Sequence, residues 1–124
     1  MDKRLTYVAA AILALHGVVH FLGLVAYFEL ATFEELPYKT TLLGGTIDVG
    51  EVGIRAFGVL SAVAGIGFIG AAVALVVDWD HWRPALVAVT LFSLVLTSAD
   101  YTVASAGALL NLIILGALVY ERQR

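Results

Sequence analysis

Leu5-Thr-Tyr-Val-Ala-Ala-Ala-Ile-Leu-Ala-Leu-His16-Gly-Val-Val-His20-Phe-Leu-Gly-Leu-Val-Ala-Tyr-Phe28 decides the fold. Its length and apolarity match a helix crossing a bilayer, which needs roughly 20 such residues. Three further runs follow at 52–77, 84–99 and 103–120, and little of the 124-residue chain is left over. With 61% hydrophobic and 14% charged residues the composition lies well outside that of ordinary soluble domains. The expected architecture is a single all-α membrane domain spanning 1–124, an antiparallel bundle of four transmembrane helices at about 5–28, 51–77, 84–99 and 103–120. The first run exceeds the apolar core of a secretory signal and is read as a retained helix. The third is the shortest and is expected either to continue into Thr97 to Asp100 or to sit in a locally thin bilayer.

Basic residues orient the helices. Lys3, Arg4, Arg83, Arg122 and Arg124 fall at one set of helix ends, whereas the other has Lys39 and, just inside the second helix, Arg55. By the positive-inside rule both termini and the 78–83 turn are cytoplasmic, in a multi-pass protein of the plasma (inner) membrane. Trp79, Trp82 and Tyr120 fall at the cytoplasmic interface, where amphipathic rings settle, and His81 between the two tryptophans is expected to be a solvated loop residue. The opposite face carries Glu29, Glu34, Glu35, Asp48, Glu51 and Asp100 within a net charge of −3. An acidic face and no basic patch argue against nucleic acid as a partner. The chain has no cysteine, so disulfides, thiolate metal sites and CxxCH haem attachment are excluded.

The connection at 29–50 is long for so small a protein and is expected to have its own structure. Thr32-Phe-Glu-Glu35 fits a capping box opening a short helix that Pro37 would stop. Lys39 to Val49 reads as two short strands about Gly44-Gly45, a hairpin lying as a lid over the outer mouth of the bundle.

His16 and His20, four residues apart, share one helix face. Ionisable groups within a membrane helix are costly and face a bundle interior or cavity. Seams at three- and four-residue spacing bring toward them Glu51 and Arg55 from the second helix, Ser93 and Thr97 from the third and Asn111 from the fourth. At 1.5 Å rise per residue, His20 and Asn111 both lie roughly 12 Å below the outer helix ends and His16 about 18 Å below. The polar seam residues thus collect in the outer half, above an apolar inner half. Two imidazoles at i and i+4 can grip one metal ion, and Glu51 would complete a two-histidine, one-carboxylate set for iron, zinc or manganese. Glu51 would have to reach about 8 Å deeper than its backbone. Haem is the weaker option, because two histidines on one helix face cannot take opposite sides of a porphyrin. Each group also has a structural explanation: the histidines bonding to Ser93, Thr97 or Asn111, Asn111 as interhelical glue, Glu51 as a helix-start carboxylate paired with Arg55, and Asp100 as a surface turn residue.

Leu36-Pro-Tyr-Lys-Thr-Thr-Leu-Leu-Gly-Gly-Thr-Ile-Asp-Val-Gly50, continuing into Gly53-Ile-Arg55 and Gly58, with His-Gly-x-x-His in the first helix and Gly107 to Asn111-Leu in the fourth, resembles a widespread group of small four-helix prokaryotic integral membrane proteins. These are often loosely labelled transporter permeases, and the layout is more distantly similar to DoxX-like proteins. The resemblance implies the same architecture and no catalytic assignment.

Three functions are open on this reading. The first is a polar pocket in the outer half of the bundle that binds a metal ion or small polar ligand through His16, His20, Glu51, Arg55, Thr97 and Asn111. The second is an accessory subunit of a larger membrane complex, presenting Gly65, Gly67 and Gly70 to its partner. The third is a small transporter or channel acting as a homo-oligomer.

Overall fold

The computed structural model describes residues 2–123; Arg124, one of the basic residues weighed for orientation, lies outside them. Among the described residues four helices form: α1 (Lys3–Tyr27), α2 (Gly50–Val76), α3 (Trp82–Ala99) and α4 (Tyr101–Gln123). Each is long and apolar enough to cross a membrane. The lipid-compatible exterior is visible in side chains such as Leu15, Val52 and Ile66, each more than 60% exposed, a cost in water that a bilayer removes.

Helix α1 packs along α2, α2 against α3 and α3 against α4. The α1–α2 contact rests on absent side chains: a Cβ on Gly65 would lie 2.6 Å from the carbonyl oxygen of Gly17, and one on Gly17 2.7 Å from that of Gly65. Such close backbone approach is how helices gain contact in lipid, where no hydrophobic effect drives them together. Phe68, Leu13, Leu75, Leu86, Ile114 and Leu118 fill the core toward the 78–81 turn. Both α1 and α2 end in a Schellman motif built on an acidic residue rather than glycine. Glu29 and Asp78 take φ of 56° and 55°, and the amides of Leu30 and Trp79 donate to the carbonyls of Val25 and Ala74.

Between α1 and α2, strands β1 (Thr41–Leu42) and β2 (Ile47–Asp48) pair antiparallel around residues 43–46. The expected short helix at 32–35 does not form; the backbone there only bends. Phe33, Leu36, Leu42 and Val49 pack instead onto Ala26, Tyr27 and Ile54, and this apolar contact outweighs an exposed one-turn helix. The hairpin is pinned to the end of α3 by the Leu43 amide, which donates to the Ala99 carbonyl at 2.8 Å. A single residue, Asp100, joins α3 to α4, and α4 kinks at Ala104 (φ −118°, ψ 18°), so the expected start near Val103 marks the kink and the preceding turn is helical too.

Of the three glycines offered to a partner, two pack within the protein, Gly65 as its three- and four-residue spacing from Gly58 and Ala62 expects. Gly65 meets α1, and a Cβ on Gly67 would lie 2.5 Å from Val89 Cγ2 of α3; Gly70 alone of the three has open space beside it.

Candidate functional site

All four helices contribute to one buried polar cluster. His16 and His20 project from α1 with ring centroids 5.1 Å apart, both against Phe68 of α2. Ser61 (α2), Ser93 and Thr97 (α3) and Asn111 (α4) complete it, and Ser93 and Asn111 have no exposed surface.

The direction of every proton in the cluster follows from those with only one destination. Ser61 Oγ donates to the His20 carbonyl at 2.6 Å, so it can only accept from His20 Nδ1 at 3.1 Å. That places the His20 proton on Nδ1 and makes Nε2 an acceptor for Ser93 Oγ at 2.6 Å. Thr97 Oγ1 donates to the Ser93 carbonyl at 2.9 Å. Its lone pairs, and those of Ser93 Oγ, therefore receive Asn111 Nδ2, at 3.3 and 2.9 Å. The amide orientation is thereby set: Asn111 Oδ1 faces His16 and accepts from its Nε2 at 2.9 Å. With both imidazoles neutral the chain is satisfied from Ser61 to His16, as buried polar networks need to be. One atom is left over. His16 Nδ1, a lone-pair acceptor in this arrangement, bonds to nothing among the described residues and is not among the sealed unpaired atoms.

His16 lines a cavity of about 260 Å3 that extends from the cluster toward the hairpin. Gly107 and Thr97 flank its floor, Leu96, Phe57 and Val103 form apolar walls, and Leu36 lies at its roof. At the hairpin end stands a second polar group absent from the expected site. Tyr27 donates to Asp100, and Lys39 forms an ion pair with the same carboxylate. Lys39 Nζ also donates to Tyr27 Oη at 3.2 Å and to the Thr41 carbonyl at 3.1 Å. Asp100 is 5% exposed, so it is a buried anchor rather than a surface turn residue.

The expected residues divide accordingly. His16, His20, Thr97 and Asn111 come together. Glu51 and Arg55 do not: they pair with each other at 2.7 Å, one turn apart on α2, with side chains 62% and 43% exposed. Glu51 stands ten residues, almost three helical turns, before Ser61, the α2 residue that meets His20, and its charge is met by Arg55. His20 has both ring nitrogens engaged by serines, which leaves the i, i+4 pair with a single open nitrogen. Among the described residues no three His, Asp or Glu side chains gather where they could hold a metal ion. Ser61 is the member the sequence did not single out; Gly58, Ser61, Gly65 and Phe68 form the buried line on α2, with Ala62 beside it only half-buried.

Four helices long and apolar enough to cross a membrane, around a satisfied polar cluster, define a membrane protein. Compared with protein-family models, curated proteins and solved structures, the chain matches none.

Proposed function

We propose that this is an integral membrane binding protein of the inner membrane whose helices run antiparallel, with termini cytoplasmic and the hairpin outside, and whose cavity takes a small organic ligand. Lys3, Arg4, Arg83 and Arg122 at the ends away from the hairpin support that orientation. Membership of the group of small four-helix membrane proteins named from its motifs is part of the same proposal.

One observation carries the ligand reading: a cavity of about 260 Å3 meets a buried polar network at its one open acceptor, His16 Nδ1. A cavity with apolar walls and a few convergent polar atoms is the usual form of a small-molecule site. The same observation shifts weight from a metal ion to an organic molecule, since one free imidazole nitrogen is a poor cation site.

Native mass spectrometry of the gently purified protein, beside Gly107→Leu, tests this. A side chain at 107 would grow between Thr97 and His16, whose Cγ2 and Cε1 lie 3.2 and 3.7 Å from a Cβ there. A small-molecule adduct on the native protein, absent from a folded Gly107→Leu variant, is the expected result. Stoichiometric metal lost from a His16→Ala/His20→Ala variant would overturn it in favour of a metal centre. Co-purification with a larger complex and no adduct would favour an accessory subunit.

A further inference from the structure

We infer that the ligand is a neutral, largely apolar molecule carrying one hydrogen-bond donor, such as a hydroxyl, and that it enters from the lipid between α1 and α4. This rests on the pocket reading above and adds the class of ligand and its route.

The class follows from which polar atoms around the cavity are spoken for. Ser61, Ser93 and Thr97 each spend their hydroxyl proton within the protein, and Asn111 spends its amide on Ser93 and Thr97. Lys39 directs its ammonium to Asp100, Tyr27 and Thr41. An anion in the cavity would find no uncommitted side-chain donor. A cation would find the Asp100 carboxylate already held on one oxygen by Lys39 and on the other by Tyr27, and Glu35, the other carboxylate on the lining, is exposed, where solvent screens its charge. Among the buried side chains on the lining, the one polar nitrogen or oxygen without any partner is His16 Nδ1, beside apolar walls. A hydroxyl satisfies that lone pair and is itself satisfied, whereas the same molecule without the donor leaves the nitrogen unpaired. A dry cavity of roughly 150 Å3 holds benzene, so about 260 Å3 suits a body of two fused rings or similar size.

The route follows from the wall. Val19 and Leu22 of α1 line the cavity while 58% and 39% exposed, and Ala106 of α4 lines it and is exposed as well. The cavity thus reaches the surface of the spans, where lipid lies. A second, almost wholly apolar cavity of about 250 Å3, lined by Ile12, Leu13, Ile113 and Leu118 among others, continues the same α1–α4 seam away from the hairpin. Packing between these two helices is slight compared with the three successive pairs. The hairpin end, in contrast, is held by Leu36 and the Lys39, Tyr27 and Asp100 group.

The test uses 1-naphthol, 1-methoxynaphthalene, 1-naphthoate and 1-naphthylmethylammonium, titrated into the full chain in lipid nanodiscs, with empty nanodiscs as the partition blank. The His16 ring 15N signals are the readout. Naphthol is expected to move Nδ1 upfield and to bind about ten-fold more tightly than its methyl ether, the size of one net hydrogen bond. His16→Phe should abolish that preference; if it misfolds, the Nδ1 shift in the native protein decides alone. Equal binding of naphthol and ether with Nδ1 unmoved, both abolished by Gly107→Leu, overturns the donor class and leaves the pocket. Tighter binding of the carboxylate or the ammonium likewise overturns the class. No binding of any probe above the blank overturns pocket and class together. Val19→Trp/Ala106→Trp, which narrows the seam, is expected to slow naphthol uptake at least ten-fold, and unchanged uptake overturns the lipid route.

Discussion

His16 Nε2 donates to Asn111 Oδ1 across 2.9 Å, joining the first helix to the last where their backbones have little other contact. This bond closes a ring otherwise made of successive neighbours. It also sets the tautomer that leaves His16 Nδ1 open. Asn111 is suited to the position because it presents an acceptor to His16 and donors to Ser93 and Thr97 at once. Leucine has a similar volume and neither function. Asn111→Leu is expected to destabilise the protein by about 1–3 kcal/mol through the unpaired groups it leaves. Asn111→Asp should cost more, because a carboxylate would face two hydroxyls whose protons are committed elsewhere. Unfolding titration in mixed micelles measures both, and a His16→Phe/Asn111→Leu cycle should give a coupling of roughly 0.6–1.7 kcal/mol, the range for interhelical polar pairs in membranes.

Glycines on α2 are expected to differ sharply by position. Gly65→Ala places a methyl 2.6 Å from a backbone oxygen that only a shift of α1 can move. A loss of about 1–3 kcal/mol follows from such overpacking. Gly67→Ala meets the Val89 side chain, which can rotate, and should cost less. Gly70→Ala, with open space beside it, should be neutral or stabilising by about 0.5–1 kcal/mol from the helix propensity gained. The same unfolding titration, run on the three variants in parallel, reads the order directly.

Removing Glu51 or Arg55 should change little. Their ion pair is largely exposed and lies within one helix, a class worth about 0.3–0.5 kcal/mol. Glu51→Ala and Arg55→Ala are expected to leave the His16 and His20 ring 15N spectra unchanged. A shift in either spectrum would bring Glu51 back toward the histidines.

Much of this arrangement was legible in the residues themselves, and the exceptions have physical causes. Hydrophobic runs delimit the spans because the bilayer enforces length, and the placed helices end within three residues of those runs. The His16, His20, Thr97 and Asn111 convergence was readable because three- and four-residue spacing plus depth specifies a position in a helix bundle almost as coordinates would. Ser61 escaped because its neighbour Ala62 fits a three- and four-residue line with Gly58 and Gly65 equally well, and a lone serine can satisfy its hydroxyl on its own helix backbone, so it does not by itself mark the buried line. Glu51 and Arg55 misled for a related reason: a charged pair near a span resembles a site until their one-turn separation is seen to satisfy both. The bond between Lys39 and Asp100 left no local trace, since 61 residues separate its partners and the contact depends on how the hairpin folds back.

Glu29 holds the left-handed position of the cap ending α1 at φ 56°, where a side chain's Cβ costs roughly 1–2 kcal/mol that glycine avoids. It is exposed, and no side-chain bond of Glu29 is among those described. Glu29→Gly should stabilise the protein by about 1 kcal/mol, reduced by glycine's greater freedom when unfolded. Thermal aggregation in detergent, compared between the native protein and Glu29→Gly, is a sufficient measurement.

The Lys39, Tyr27 and Asp100 group sets how firmly the hairpin stays on the helix ends. Lys39→Met would strand a carboxylate that is 95% removed from solvent, by the 5% exposure of Asp100, with Tyr27 as its one remaining side-chain partner. Breaking a buried pair in this way typically costs about 3–5 kcal/mol, and the partial exposure of Lys39 argues for the lower end. Asp100→Asn keeps a hydrogen-bonding partner for both and should cost less; Lys39→Met/Asp100→Asn, having no stranded charge, should recover part of the loss. The effect need not be global, because the hairpin touches the helices through few bonds and such segments open on their own. Hydrogen exchange at the Leu43 amide, which donates to Ala99, separates the two cases. Faster exchange there with the helix amides unchanged means the ion pair holds the hairpin alone. Faster exchange along α1 and α3 as well means that it holds the ends of the spans together.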